Sequence, residues 1–549
     1  MKTEFDVIVV GAGINGITVG AYLQKAGLDV AVVERETECG PFCRSDDIFG
    51  NGLPVDTCAV MIHVAYGPAW KDLELERFGL EFLYRDPSMV AVWKDKNLAF
   101  GSMNPQTTVQ AIERFSEKDA KTYLRIMSKM APDAQALMEL LLFSPPSEEK
   151  LPRLWEAGKY FELSPDEFRQ MNGFELLDVL FENDYTKMAL MTTADMEVLG
   201  NPSLAGEGAL NMILSFAGAT YHQLRGGSHN IPHALVRCFK HHGGTLLLNA
   251  PVEKITYEGG VAKGVVISEE SPHPEHELKA RHGIILHLSP AVALPIIGEE
   301  KVKGISSGWY RKMKEWDYTG HCSLTSHFLL KKRPPWRSAA WDPSIGNSLI
   351  IYPGWDSWED CIRSIALDHS GEVWKIAGKT GEVFDVSAVD ATRISPEGYS
   401  VLSYEVEYPP LLHKYGGVKM WDDRKFTDEI HRIHTERMEE LISGFKDLVL
   451  ESTYLSCIDN WRRNASGVLG NEFSGNVTED QGYLGRMPHR APVAHLYFCQ
   501  GTYPVGYSAL SSGYVAACVV AEDLGVRDQP WWTSRPLEWL FERLQSADS

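Results

Sequence analysis

The sequence predicts an α/β fold on three observations. A strand, glycine loop, helix and second strand occupy the stretch from Phe5 to Glu34, two later glycine-marked blocks have the same strand-and-helix character, and long irregular insertions separate the three. Phe5 to Val10 is a short apolar run rich in valine and isoleucine, the pattern of a parallel strand covered on both faces. GAGING follows at once. From Ile14 to Ala26 the apolar residues recur at helical spacing, and Gly27 is placed to stop that helix. Asp29 to Val33 reads as the second strand.

After Val60 the repeat is lost. Between Ser116 and Phe143, Ala120, Leu124, Met127, Ala131, Ala134, Leu137 and Leu141 keep helical periodicity, with Ser116 as the cap; core packing explains this stripe more simply than a substrate cavity does. The block RGGSHNIPHALVRCFKHHGGTLLLNAPVEKITYEGGVAKGVVI begins at Arg225. It reads as a turn, a helix over about 232–242, a strand over 245–248 and a strand pair turning at Gly259 and Gly260. Gly283 to Leu288 adds another apolar strand. From Gly304 to about Arg490 the chain is irregular, with a strand at Cys322 to Leu330 and a helix over about 427–445. LYFCQGTYPVGYSALSSGYVAACVVAEDLG then returns to strand, glycine turn and helix, the helix starting near Ser508.

Composition narrows the class. With 53 Lys and Arg against 74 Asp and Glu, the net charge of −21 disfavours nucleic acid as a partner. The cluster Lys331, Lys332 and Arg333 reads as solvated surface. Nine scattered cysteines suit a reducing, cytoplasmic compartment, and no uninterrupted apolar run is long enough to span a bilayer. An apolar surface leaves room for peripheral membrane contact.

Gly11, Gly13 and Gly16 fit G-x-G-x-x-G directly after a strand and at the start of a helix, the context in which the motif is informative. Gly11 permits the tight turn, Gly13 lets the backbone approach a pyrophosphate, and Gly16 allows helix and strand to pack closely. The helix N-terminus offers unpaired N–H groups to phosphates. Glu34, at the end of the second strand, is placed to accept hydrogen bonds from ribose hydroxyls. FAD and NAD both present an ADP moiety to such a unit, and the sequence beyond it favours FAD. A glycine-punctuated loop with Gly40 and Arg44 follows Glu34 where a nicotinamide enzyme would continue with another βαβ crossover. The late block offers Gly501, Thr502 and a helix N-terminus near Leu510 to face a flavin ring.

VIVVGAGINGITVGAYL, RGGSHNIPHAL, GNEFSGNVTEDQGYLGRMP and YFCQGTYP together resemble the phytoene-desaturase-like FAD-dependent oxidoreductases, in the branch typified by pyridine nucleotide-disulphide oxidoreductase domain-containing protein 2. The likeness covers most of the chain. It implies a discontinuous Rossmann-like FAD-binding domain with an inserted α+β substrate domain, and redox chemistry or redox-assisted isomerisation at carbon–carbon bonds of a hydrophobic substrate. It also implies that Val252 reaches the adenine side through its backbone and that Gly501 and Thr502 lie at the flavin. The late motif of that group reads like GTHPGGGVSG; here Tyr503, Val505 and Tyr507 replace the histidine and glycines, and Pro41 replaces a glycine in the loop after Glu34.

The expected cofactor domain comprises 1–60, 222–300 and 485–530, the substrate domain 61–221 and 301–484, and 531–549 form a C-terminal tail. The expected function is FAD-dependent dehydrogenation, desaturation or isomerisation of a hydrophobic, cyclic or isoprenoid-like small molecule, with hydride passing to flavin N5. Flavin-dependent amine oxidation and a non-catalytic FAD-binding scaffold are the alternatives. Tyr503, Tyr507 and His63 are the candidate acid–base groups, weighed against simple wall packing. Cys39 and Cys43 raise disulphide reduction, but three residues intervene rather than four and no second dinucleotide unit follows. No metal site is expected: His431 and His434 read as a solvated helix face, and Glu472 and Asp480 as loop-structuring acids.

Overall fold

The computed structural model describes residues 2–60, 67–102, 104–195, 201–216, 222–320, 322–464, 467–502 and 510–539. Its first three elements follow the sequence reading closely: strand β1 (Glu4–Val10), helix α1 (Ile14–Lys25) and strand β2 (Val30–Val33). Gly27, at φ +96°, takes the left-handed conformation that ends α1, which only glycine adopts without strain.

β1 and β2 pair in parallel inside a seven-stranded sheet. In order across the sheet, the strands Val252–Glu258, Val261–Ile267 and Glu277–Leu286 precede β1, and Thr245–Leu247 follows β2. The strand Glu277–Leu286 is longer than its expected Gly283 start, and the two halves differ for a physical reason. Its first half, with the start of β1 on one edge and the antiparallel Val261–Ile267 on the other, alternates exposed and buried residues, whereas Gly283 to Leu286 is buried throughout where β1 and the late strand flank it in parallel. One of those neighbours comes from the far end of the chain: Leu496–Phe498 pairs in parallel with Ile284 to Leu286.

Helix α1 is buried from Gly16 to Leu23 because helices pack on it from two sides, Asn230–His241 and Ser511–Asp523. The contact with the late helix is as close as backbone allows. A Cβ on Gly513 would lie 2.6 Å from the Asn15 carbonyl oxygen, and the Gly513 N–H donates to the Asn15 side chain at 2.9 Å. Beyond that helix, Trp532 and Leu537 are buried, and Trp532 packs on Tyr22 at 4.8 Å between ring centroids.

A second seven-stranded sheet draws on the insertions. Its order is Val449–Leu455, Cys322–Leu330, Ser400–Tyr408, Glu382–Phe384, Ile350–Pro353, Met89–Val92 and Asn97–Phe100, antiparallel except where Ile350–Pro353 runs beside Met89–Val92. The stripe after Ser116 forms two helices, Glu117–Met130 and Ala134–Leu142. Pro132 lies between them and supplies no N–H to carry one helix through. Ser116 caps the first by accepting the Asp119 N–H at 3.1 Å. No helix of the described residues is long and apolar enough to cross a membrane.

The histidines at 431 and 434 correct the sequence reading. His434 is fully buried in the helix Arg424–Leu441, bonded to the Ser326 hydroxyl at 2.9 Å and the Tyr408 hydroxyl at 2.9 Å, while His431 is only half exposed. Burial holds the His434 imidazole down at about 3, so it is neutral.

Candidate active site

Both sheets contribute to one cavity of about 460 Å³. Gly11, Gly13 and Glu34 line it at the N-terminal unit, Gly40 and Val252 nearby, and Gly501 and Thr502 on the late turn. The glycine loop is held at the end of β1, where the Gly11 N–H donates to the Val33 carbonyl at 2.8 Å and the His287 N–H to the Val10 carbonyl at 2.8 Å. At all three motif positions there is no room for a side chain. A Cβ on Gly11 would approach the His287 carbonyl oxygen to 2.6 Å, one on Gly13 the His287 imidazole to 2.6 Å, and one on Gly16 the Gly11 carbonyl oxygen to 2.2 Å. Gly16 serves this packing and does not itself face the cavity.

Glu34 is 7% exposed. Its carboxylate accepts the Ala12 N–H at 2.6 Å and the Glu36 N–H at 3.0 Å, which ties the strand-end acid to the glycine loop. Burial pushes this carboxyl up, opposed by those two backbone bonds. Gly40, at φ +74°, donates its N–H to the Ala12 carbonyl at 3.0 Å and lies so close to Pro232 that a Cβ would come within 2.5 Å of the ring. The same loop is clipped to the start of that helix by Glu38, two residues earlier, which bonds His229 Nε2 at 2.7 Å. Arg44 turns instead to Asp46, at 3.5 Å, and does not line the cavity.

On the opposite side, Thr502 shares a 2.8 Å hydrogen bond with Ser512, whose hydroxyl also donates to the Cys499 carbonyl at 2.9 Å. Gly501 has φ +73°, and Leu510, at φ +75°, is the buried cap of the helix Ser511–Asp523 rather than a cavity residue. His63, Tyr503 and Tyr507 lie outside the described residues, as does Val505. Cys39 and Cys43 are free and buried, and burial pushes both thiols up to about 12, the opposite of a reactive pair.

The wall that the second sheet presents was not anticipated. Glu405 and Glu407 stand two apart on Ser400–Tyr408, so they share a face, and Glu382 is the direct cross-strand partner of Glu405. Glu472 joins them through a 3.0 Å bond from Ser323, itself the cross-strand partner of Glu407. All four acids line the cavity, together with the apolar side chains of Phe42, Val60, Phe384 and Phe473. Burial pushes the Glu405 carboxyl up, the Thr325 hydroxyl at 2.8 Å opposing and Glu407 adding to the shift. Glu382 rises for the same first reason, with Glu405 and Glu407 adding to it. The reading of Glu472 as a loop-structuring acid therefore captured its bond to Ser323 but not its place in the cavity; Asp480 is exposed and lies outside the cavity lining.

A parallel-stranded nucleotide-type sheet, closed by a strand from the far end of the chain and facing a second sheet across one cavity, defines a two-domain flavoprotein oxidoreductase. The chain belongs to the flavin containing amine oxidoreductase family, whose profile matches residues 14–340. It is an FAD-dependent oxidoreductase with a Rossmann-like FAD domain and a substrate domain. A limonene dehydrogenase chain of Castellaniella defragrans is 25% identical over 96% of this chain and 96% of its own. Pyridine nucleotide-disulfide oxidoreductase domain-containing protein 2 of Rattus norvegicus is 24% identical over 95% of this chain and 94% of its own. Among solved structures, putrescine oxidase bound to putrescine superposes with a TM-score of 0.59 at 14% identity, covering 96% of this chain and 100% of that one, a likeness of fold.

Proposed function

We propose that this enzyme is a dehydrogenase, working as a desaturase or redox-assisted isomerase on carbon–carbon bonds of a hydrophobic, cyclic or isoprenoid-like molecule. The observation that carries the reading is the single cavity, with a glycine loop and strand-end acid on one side and a late glycine turn with apolar side chains on the other. In this reading Gly11, Gly13 and Gly16 shape the pyrophosphate cradle, Glu34 holds the ribose, Val252 meets the adenine side through its backbone, and Gly40 orders the loop between them. Gly501 and Thr502 border the isoalloxazine. The cofactor domain is then 1–60, 222–300 and 485–530, and the substrate domain 61–221 and 301–484.

The residues present fit such a group. Glycines stand where any Cβ would collide, and a carboxylate sits at the strand end within reach of a ribose. FAD bound there supplies a two-electron acceptor for a hydride from the substrate. Phe42, Val60, Phe384 and Phe473 hold an apolar substrate and keep water from the reacting carbon. The similarity to the limonene dehydrogenase chain, named for a cyclic hydrocarbon, supports the substrate class.

Flavin-dependent amine oxidation is the second reading, favoured by one observation, the four glutamates that would attract an ammonium group. Anaerobic titration of the yellow protein separates the two. Bleaching of the flavin band by cyclic or isoprenoid alkenes is expected; bleaching by amines alone would overturn the hydrocarbon reading in favour of the second.

A further inference from the structure

We infer that Glu38, His229 and His233 form a binding site for a divalent transition-metal ion of the zinc class, which staples the loop after Glu34 to the helix Asn230–His241. The inference lies beyond the redox reading and does not depend on it, because none of the three residues lines the cavity. Among the described residues they are the one group of three possible ligands, a carboxylate and two imidazoles, whose donor atoms all lie within 4.8 Å of one another.

The two histidines are four apart, at the cap and in the first turn of the helix, so they lie on one face of it. Both rings converge on a single atom. Glu38 Oε1 is 2.7 Å from His229 Nε2 and 3.4 Å from His233 Nε2, and the ring centroids are 4.4 Å apart. The far side of the His229 ring fixes its chemistry. Its Nδ1 lies 2.5 Å from the Cys43 carbonyl oxygen, which can only accept, so Nδ1 carries a hydrogen. In the neutral ring the lone pair is then on Nε2, aimed at the carboxylate oxygen. A metal-bound histidine has this arrangement, with its second nitrogen donating to a backbone carbonyl. Two electron-rich atoms that face each other at 2.7 Å need a cation between them, either a proton or a metal ion. A proton explains the pair of Glu38 and His229 but gives His233 no part, and a proton on each ring sets two like charges side by side. A metal ion accounts for all three groups.

Dimensions and ligand types suit zinc. In a tetrahedral site with bonds of about 2.0–2.1 Å, neighbouring ligand atoms stand about 3.3 Å apart. The 3.4 Å contact already has that spacing, and the 2.7 Å contact has to open by only about 0.6 Å to reach it. The side chains of Glu38 and His233 are 53% and 43% exposed, so they are free to make that adjustment and leave the fourth position to water. Two imidazoles and one carboxylate disfavour magnesium and calcium, which take oxygen ligands. Cys39, next to Glu38 in the chain, is no ligand, since it is buried and its thiol is pushed up to about 12. The consequence of an ion here is mechanical. Gly40, Phe42 and Cys43 of the same loop line the cavity, and Gly40 packs on Pro232 of the helix, so an ion at Glu38 fastens one edge of the cavity to that helix.

The test is metal binding by the full-length protein after treatment with a chelator. Isothermal titration calorimetry with zinc chloride is expected to show one site with a Kd of about 10 µM or tighter, and magnesium chloride no binding in that range. His233→Ala removes a ligand that a proton-bridged pair does not use. It is expected to weaken zinc binding about a hundredfold while the melting temperature without zinc stays unchanged. Glu38→Gln decides in its place should that variant fail to fold. X-ray absorption of the zinc-loaded protein should show a shell of nitrogen and oxygen alone, and zinc should slow hydrogen exchange of residues 36–45. Absence of zinc binding, binding that survives the ligand substitution, or a sulfur atom in the shell overturns the site; binding that leaves the exchange of the loop unchanged overturns the staple.

Discussion

Replacing Gly13 by alanine tests the proposed cofactor cradle at a glycine whose backbone conformation any residue can adopt. Gly13 has φ −65° and ψ 165°, a conformation any residue adopts, so alanine introduces no backbone strain and the whole effect is steric. Its Cβ would sit 2.6 Å from Cε1 and 3.2 Å from Nδ1 of His287, whose ring lines the cavity. Overpacking of this kind costs about 1–3 kcal/mol, and the ring it displaces lines the cavity. If the methyl group or the displaced ring costs two charge-assisted hydrogen bonds of about 1.5 kcal/mol each, FAD affinity falls about a hundredfold. The assay is fluorescence titration of the apoprotein with FAD, alongside thermal melting. The double variant Gly13→Ala/His287→Ala clears the collision with the ring. It is expected to recover stability but not affinity, because the methyl group still faces the phosphate. FAD binding by Gly13→Ala within about twofold of the unmodified protein would refute the assignment of this loop to the pyrophosphate.

Three further outcomes follow from other contacts. Arg393→Met is expected to destabilise by about 3–5 kcal/mol in denaturant titration, because it strands Asp56, whose side chain is 1% exposed, without its 3.0 Å ion pair; adding Asp56→Asn removes the stranded charge and should recover part of the loss. Glu34→Gln is expected to weaken FAD binding about tenfold by equilibrium dialysis, because the amide removes the charge offered to the ribose and leaves one of the Ala12 and Glu36 N–H groups facing an NH2 donor. His327 and His434 are held at about 3 by burial, so the folded state takes up fewer protons than the unfolded chain. Stability should be flat above about pH 6.5 and fall below it by roughly 1.4 kcal/mol per pH unit per histidine, and His434→Gln should remove one histidine's share of that slope in urea titrations at successive pH values.

The parts of this molecule that could be read from the sequence are those whose physics is local. β1 is a continuous apolar run because both faces are covered, and Gly11, Gly13 and Gly16 mark a turn that no other residue fits, so strand, loop and helix followed to within a residue or two. The strand-end acid at 34 was legible for the same reason. The acidic wall was not. In SVLSYEVEY the acids alternate with Tyr404, Val406 and Tyr408, which is the pattern of a strand with one face in water, and only the packing of two sheets shows that this face looks into a cavity. Glu382 sits on a strand of three residues, too short to announce itself. His434 carries a signal of its own: Phe426, Ile430, His434, Met438 and Leu441 fall on one buried stripe of a highly charged helix, so the histidine occupies a core position. The 3.0 Å contact between Asp56 and Arg393 joins positions 337 residues apart, a relation carried by the tertiary structure alone.

The strand Leu496–Phe498 and the turn at Gly501 complete a sheet that begins at Glu4. During synthesis the first βαβ unit emerges early, and this closing strand leaves the ribosome among the last segments of the sheet. Until then Ile284 to Leu286 present an unpaired edge, so a nascent chain exposes apolar surface that aggregation or a chaperone can exploit. A chain truncated before residue 496 keeps the first βαβ unit but lacks the strand that covers this edge.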